Sequence, residues 1–86
     1  MEEDLMGKVR EVLEREFPGA ATTLETYDGD RITGSLTWAG FEGMEQLDRQ
    51  RKVVAALRRG LRPSEERQVV IILTFTPEEM MVYSEG

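Results

Sequence analysis

Apolar residues recur with a helical period at the start of the chain. From Glu3 to Phe17, Leu5, Met6, Val9, Val12, Leu13 and Phe17 form one stripe of an amphipathic helix. Gly7 weakens this helix by about 1 kcal/mol relative to Ala without breaking it, and Pro18-Gly19 stops it. The period then shortens to two. Thr22–Asp28 and Arg31–Trp38 read as strands, and the Asp28-Gly29-Asp30 between them has the composition of a tight hairpin turn. In the second strand Ile32, Gly34, Leu36 and Trp38 alternate with Arg31, Thr33, Ser35 and Thr37, so one sheet face is buried and the other wet.

A second helix is predicted over Met44–Leu61, with Leu47, Val54, Leu57 and Leu61 on its apolar stripe and Gly60 and Pro63 at its end. Ser64-Glu65-Glu66 suits one helical turn. Val69–Phe75 is short and β-branched, which suits a strand. Thr76-Pro77-Glu78-Glu79 opens a last helix, with Thr as N-cap, Pro at N1 and Glu at N3. The order is α-β-β-α-(α)-β-α. A right-handed crossover through the second helix lays the third strand parallel to the second, giving an α+β fold with a mixed three-stranded sheet and helices on one face. Regular alternation turns Val69, Ile71, Leu73 and Phe75 toward the helices and leaves Val70 and Ile72 on the open face. If this strand is the sheet edge, it invites strand addition by a partner or a second copy; the competing expectation is that Met80–Tyr83 folds over part of it.

With 86 residues the chain is expected to form a single domain, residues 1–86. It contains no Cys and no His. Disulfides, Cys/His zinc sites and thiolate or imidazole catalysis are therefore excluded. The net charge is -6, yet residues 49–67 hold seven basic residues against two acidic ones. Only that block can attract a polyanion. Met1–Leu5 carries three acids, the wrong charge for a targeting peptide, and no apolar run nears the length of a membrane span, so a cytoplasmic protein is expected.

Candidate chemistry is sparse. Asp28 and Asp30 fit hairpin chemistry better than a cation site, Glu78 and Glu79 fit a helix N-terminus, and the serines have no histidine to activate them. No enzymatic function, metal site or cofactor is expected. Gln50 is more unusual, because it falls on the apolar stripe of the second helix between Leu57 and Leu61. It reads either as a hydrogen-bonded residue at the edge of the core or as part of a partner-facing site. Arg51, Arg58 and Arg62 share one flank of the same helix, with Lys52 and Arg59 away from the core. Three readings stand for this strip: a solvated face that balances the acidic first helix, a docking strip for an acidic protein, or a nucleic-acid contact. Gly40–Gly43 contains Glu42 and joins a strand to a helix, so it reads as a tight turn rather than a phosphate clamp.

Phe17-Pro18, Phe41-Glu42-Gly43, Leu47-Asp48-Arg49-Gln50-Arg51, Val53, Leu57 and Thr76-Pro77-Glu78-Glu79, in this order of elements, resemble the BolA family over nearly the whole chain. The resemblance implies a fold related to the type II KH domain. It also implies partnership with monothiol glutaredoxins, with which BolA-like proteins hold or relay a 2Fe-2S cluster, and for some members a role in transcription or stress response. The chain departs from the family at the position of the ligand histidine, where Gln50 stands. The second family ligand, a Cys or His between the first two strands, has no counterpart in Tyr27–Ile32. A carboxamide is a poor iron ligand, so no cluster ligation is expected from this chain.

The reading is a non-enzymatic protein-binding adaptor, with a monothiol glutaredoxin as candidate partner and Phe41, Gly43, Arg49, Gln50, Arg51 and Arg58 as its partner surface. The alternatives are a nucleic-acid-binding or transcription-associated module using Arg51, Arg58, Arg59 and Arg62, and a structural homodimer through the last strand. No membrane contact is expected, and the chain is read as a monomer or weak homodimer.

Overall fold

A computed structural model describes residues 4–85. Its elements are α1 (Leu5–Glu16), β1 (Ala21–Tyr27), β2 (Arg31–Thr37), a 3-10 turn (Ala39–Phe41), α2 (Gln46–Gly60), α3 (Pro63–Glu66), β3 (Val69–Phe75) and α4 (Pro77–Glu85). The fold is the expected α+β arrangement. The predicted opening of the first helix at Glu3 lies outside the described residues. β2 is the central strand, antiparallel to β1 and parallel to β3. The hairpin closes through Asp28 and Gly29 at φ 53° and 90°, conformations that Asp and Gly tolerate better than other residues.

α1 contributes Val9, Val12, Leu13 and Phe17 to the core, as its stripe predicts. They meet Leu24, Ile32 and Leu36 from the sheet, Phe41 from the 3-10 turn, Val53, Ala56 and Leu57 from α2, and Ile72 from β3. Each such side chain, fully buried, contributes about 1.5–3 kcal/mol. Trp38 packs edge to face with both Phe17 and Phe41, at ring centroids 5.1 and 5.2 Å, while Phe17 and Phe41 are tilted against each other at 5.6 Å, and the Trp38 indole N–H donates to Pro18 O at 3.0 Å.

Two predicted faces are corrected. In β3, Ile72 and Thr74 are each 3% exposed and face the helices, whereas Ile71 and Leu73 stand open at 48% and 41%. The cause is a register shift: Ile32 pairs with Val69 but Thr33 pairs with Ile71, so Val70 is an extra residue. One extra residue reverses the alternation beyond it. The open face therefore carries Ile71, Leu73 and Phe75 beside Thr33 and Ser35. Part of it is covered, as one of the two expectations had it, by Tyr83 of α4, whose ring lies 5.1 Å from that of Phe75.

In α2 the buried row is Arg49, Val53, Ala56 and Leu57, while Leu47 is 59% exposed. The helix is rotated relative to the predicted stripe, because Gly60 lies against α1. α2 ends at Gly60 as expected, and a Cβ there would overlap the Val12 side chain, so this glycine also serves close helix packing. With this edge of α2 held against α1, Leu47 and Val54 fall about 100° round the helix from Val53.

Candidate functional site

The rotation of α2 exposes a groove of about 430 Å³ lined by Leu47, Gln50, Arg51, Val54, Ala55 and Arg58. Its floor is aliphatic. Its rim carries two guanidinium groups on side chains that are each 71% exposed. Arg51 approaches Asp48 only to 3.9 Å, and Arg58 uses Nε alone to reach Glu66, at 3.2 Å, leaving its terminal nitrogens free for another acceptor.

One wall of the groove is tied to the sheet edge. The Gln50 amide donates to Ile72 O at 2.9 Å, and Gln46 donates to Thr74 O at 3.3 Å while accepting from the Thr74 hydroxyl at 2.8 Å. Phe75 O accepts from Trp38 N on the β2 side, so by strand alternation the Ile72 and Thr74 carbonyls point to the open edge. The two glutamines thus occupy acceptors that an added strand would need. Of the two readings of Gln50, the hydrogen-bonded residue at the margin of the core is the one observed, and its other side borders the groove.

Arg49 organises a second depression. It is 5% exposed, donates through Nε to Met44 O at 2.9 Å, and lies 5.7 Å from the centre of the Phe41 ring. Its two terminal nitrogens reach the Glu79 carboxylate at 2.6 and 3.2 Å. Glu79 also accepts from Thr76 N–H, and its own N–H donates to the Thr76 hydroxyl, the reciprocal cap that the sequence predicts for α4. The Arg49 hydrogen bonds, followed by the Thr76 N–H, hold the Glu79 carboxyl down to about 2. Glu42, Gly43, Glu78 and Val82 complete the lining, and Gly43 turns the chain into α2 with φ 81°.

The six residues predicted for a partner surface are therefore divided. Gln50, Arg51 and Arg58 come together in the groove; Gly43 and Arg49 lie at the second depression; Phe41 is fully buried. Phe41 and Arg49 support the surface from beneath and offer almost no side-chain contact themselves, because the core and the Glu79 carboxylate take them up. Leu47 and Val54, assigned to the core stripe from sequence, are the groove floor. The signal for them was that apolar residues on α2 span too wide an arc for a single buried face.

The arginines proposed for nucleic acid are partly engaged. Arg59 meets Glu16 at 2.6 Å, and this bond lowers the Glu16 pKa. The Arg62 backbone N–H donates to Glu65 at 2.8 Å, which with Lys8 lowers the Glu65 pKa. The Arg59 bond balances an acid of α1, whereas Arg62 engages Glu65 only through its backbone N–H; Arg51 and Arg58, each beside a carboxylate of its own, Asp48 and Glu66, are the two that border the apolar floor. The donors here do not fit an iron-sulfur cluster: the chain has neither thiol nor imidazole, and the one carboxamide nitrogen at the relevant position is bonded to Ile72 O. No helix among the described residues is long and apolar enough to cross a membrane.

No protein-family model matches the chain, and no curated protein matches it. Solved structures do. BolA1 from Arabidopsis thaliana superposes with a TM-score of 0.70 at 26% identity, covering 91% of this chain and 98% of that one. A Bol-like protein from Babesia bovis superposes with a TM-score of 0.55 at 24% identity over 91% of each chain, a likeness of fold.

Proposed function

We propose that this BolA-like chain is a non-enzymatic protein-binding module that docks its partner in the groove of α2. The observation that carries this reading is the exposure of Leu47, at 59%, on the same groove as Val54, Arg51 and Arg58. An exposed aliphatic floor with a charged rim has the anatomy of a docking site, in which the apolar centre supplies affinity and the rim supplies orientation. The partner class supported by the BolA resemblance is a monothiol glutaredoxin. Any cluster in such a complex would be held by ligands from the partner side, since this chain has no thiol or imidazole to give.

The test is an amide-shift NMR titration of the full chain with a monothiol glutaredoxin, apo and cluster-loaded. Saturable shifts at Leu47, Gln50, Arg51, Val54 and Arg58 are expected. Shifts confined to the open sheet face, or none with either form, would overturn the reading. Raising the salt concentration separates this contact from nucleic-acid binding, whose affinity falls with a log-log slope close to one unit per phosphate contact.

A further inference from the structure

The groove has a periodicity of its own. Leu47, Gln50, Val54, Leu57 and Leu61 are spaced by three and four residues in turn, the a/d pattern of a helix-pairing seam, and Arg51 and Arg58 follow the d positions as an e row. Leu57 and Leu61 are buried, at 4% and 7%, so the seam is open only at Leu47, Gln50 and Val54. Leu47 to Val54 and Arg51 to Arg58 each span one heptad, about 10.5 Å along the axis, so an aliphatic row and a basic row lie on neighbouring lines of the helix, the basic row set about one turn further toward the C-terminus.

We propose that the occupant of this groove is an acidic amphipathic helix of the partner protein, its apolar positions seated between Leu47 and Val54 and its flanking carboxylates on Arg51 and Arg58. This rests on the docking reading above and adds the chemistry of the partner. Charge complementarity selects the acid: no acidic side chain lines the groove, both rim arginines are 71% exposed, and their own partners leave donors over, since Asp48 comes only to 3.9 Å from Arg51 and Glu66 takes only Nε of Arg58. The aliphatic floor selects a helix over a nucleic acid, since it offers no aromatic ring on which a base can stack. Two turns of seam also match the reach of one helix laid in a shallow groove.

The experiment titrates the isotope-labelled full chain with two lactam-stabilised helical peptides. Both carry leucines at heptad a and d positions; one has glutamates flanking them, the other lysines. The glutamate peptide is expected to shift Leu47, Gln50, Arg51, Val54 and Arg58 saturably and to bind on the order of tenfold more tightly at low salt, the scale of two exposed ion pairs replaced by two repulsions. R51E/R58E should reverse the preference, and R51Q/R58Q, which introduces no new repulsion, should abolish it. Equal affinity for the two peptides, or shifts lying elsewhere, overturns the inference. So do groove shifts that appear with increasing concentration of the chain alone, which would point to α4 of a second copy, with its exposed Met81 and Val82 and its glutamates. If glutaredoxin shifts the groove while the acidic peptide does not, the docking reading stands and the acidic-helix inference falls. If neither does, both fall.

Discussion

Ile72 and Leu73 are neighbours on β3, and truncating each to Ala tests which face of that strand meets the helices. Ile72 is 3% exposed within the core cluster, so I72A removes buried methyl groups and leaves a cavity, at a cost of about 2–5 kcal/mol. Leu73 is 41% exposed on the open face. Full burial of a leucine contributes about 1.5–3 kcal/mol, and no closed cavity forms at a half-exposed site, so L73A should cost about 1 kcal/mol. A domain of 86 residues has a total stability of about 4–13 kcal/mol, so the first change removes a large share and the second a small one. Urea unfolding followed by the single Trp38, packed edge-on against Phe17 and Phe41, reads both. With an m-value of about 1 kcal/mol/M, the I72A midpoint should fall by about 2 M or more and the L73A midpoint by about 1 M. Should I72A leave too little folded protein, I72V, at about 0.5–1.5 kcal/mol, supplies the measurable step. A cost for L73A equal to or above that of I72A would refute the register shift at Val70 and return β3 to regular alternation.

Two further outcomes follow from the contacts around α2. Glu79 has its carboxyl depressed from 4.5 to about 2 in the folded chain, so the stabilisation it brings is complete above pH 4.5 and is lost as the pH falls from there toward 2. Carboxyl-carbon NMR should place its midpoint near 2 in the parent and move it toward 4.5 in R49M; an unmoved midpoint would rule out the Arg49 pair as the cause. Removing both edge caps with Q46A/Q50A should increase self-association in sedimentation velocity relative to the parent, because the Ile72 and Thr74 carbonyls become available to a second strand. An unchanged sedimentation profile at high concentration would mean that the edge is protected by something other than these amides.

What was legible in the sequence was local. The Asp28-Gly29-Asp30 turn, the Thr76-Pro77-Glu78-Glu79 cap and the α1 stripe each depend on residues within a few positions of one another, and each is found where its signal lies. The order of elements followed from these signals and from the handedness of the crossover. The faces of β3 and α2 were not legible, because each is set by a distant neighbour. The extra residue in β3 exists only relative to its pairing with β2, and the rotation of α2 depends on Gly60 meeting Val12, forty-eight positions earlier in the chain. The candidate site inherits the same division. Gln50 was conspicuous as a polar residue on an apolar stripe, but its acceptor, Ile72 O, required the sheet. Sequence alone puts Arg49 on the surface, because nothing near it in the chain announces Glu79, its partner thirty residues later.

The edge strand β3 has a second consequence, which concerns the chain before it folds. From Gln68 to Pro77 there is no charged residue, and Val69–Phe75 is a run of β-branched, aliphatic and aromatic side chains in which only Thr74 is polar. Such a segment is a template for cross-β stacking whenever it is bare. In the native molecule β2 pairs one side of it and the α2 glutamines occupy carbonyls on the other, while in the unfolded chain only its flanks, Arg67 on one side and Pro77-Glu78-Glu79 on the other, act as gatekeepers. Solubility and folding stability are therefore one property in this protein, and any substitution that loosens α2 also lengthens the time for which its most aggregation-prone segment stands uncovered.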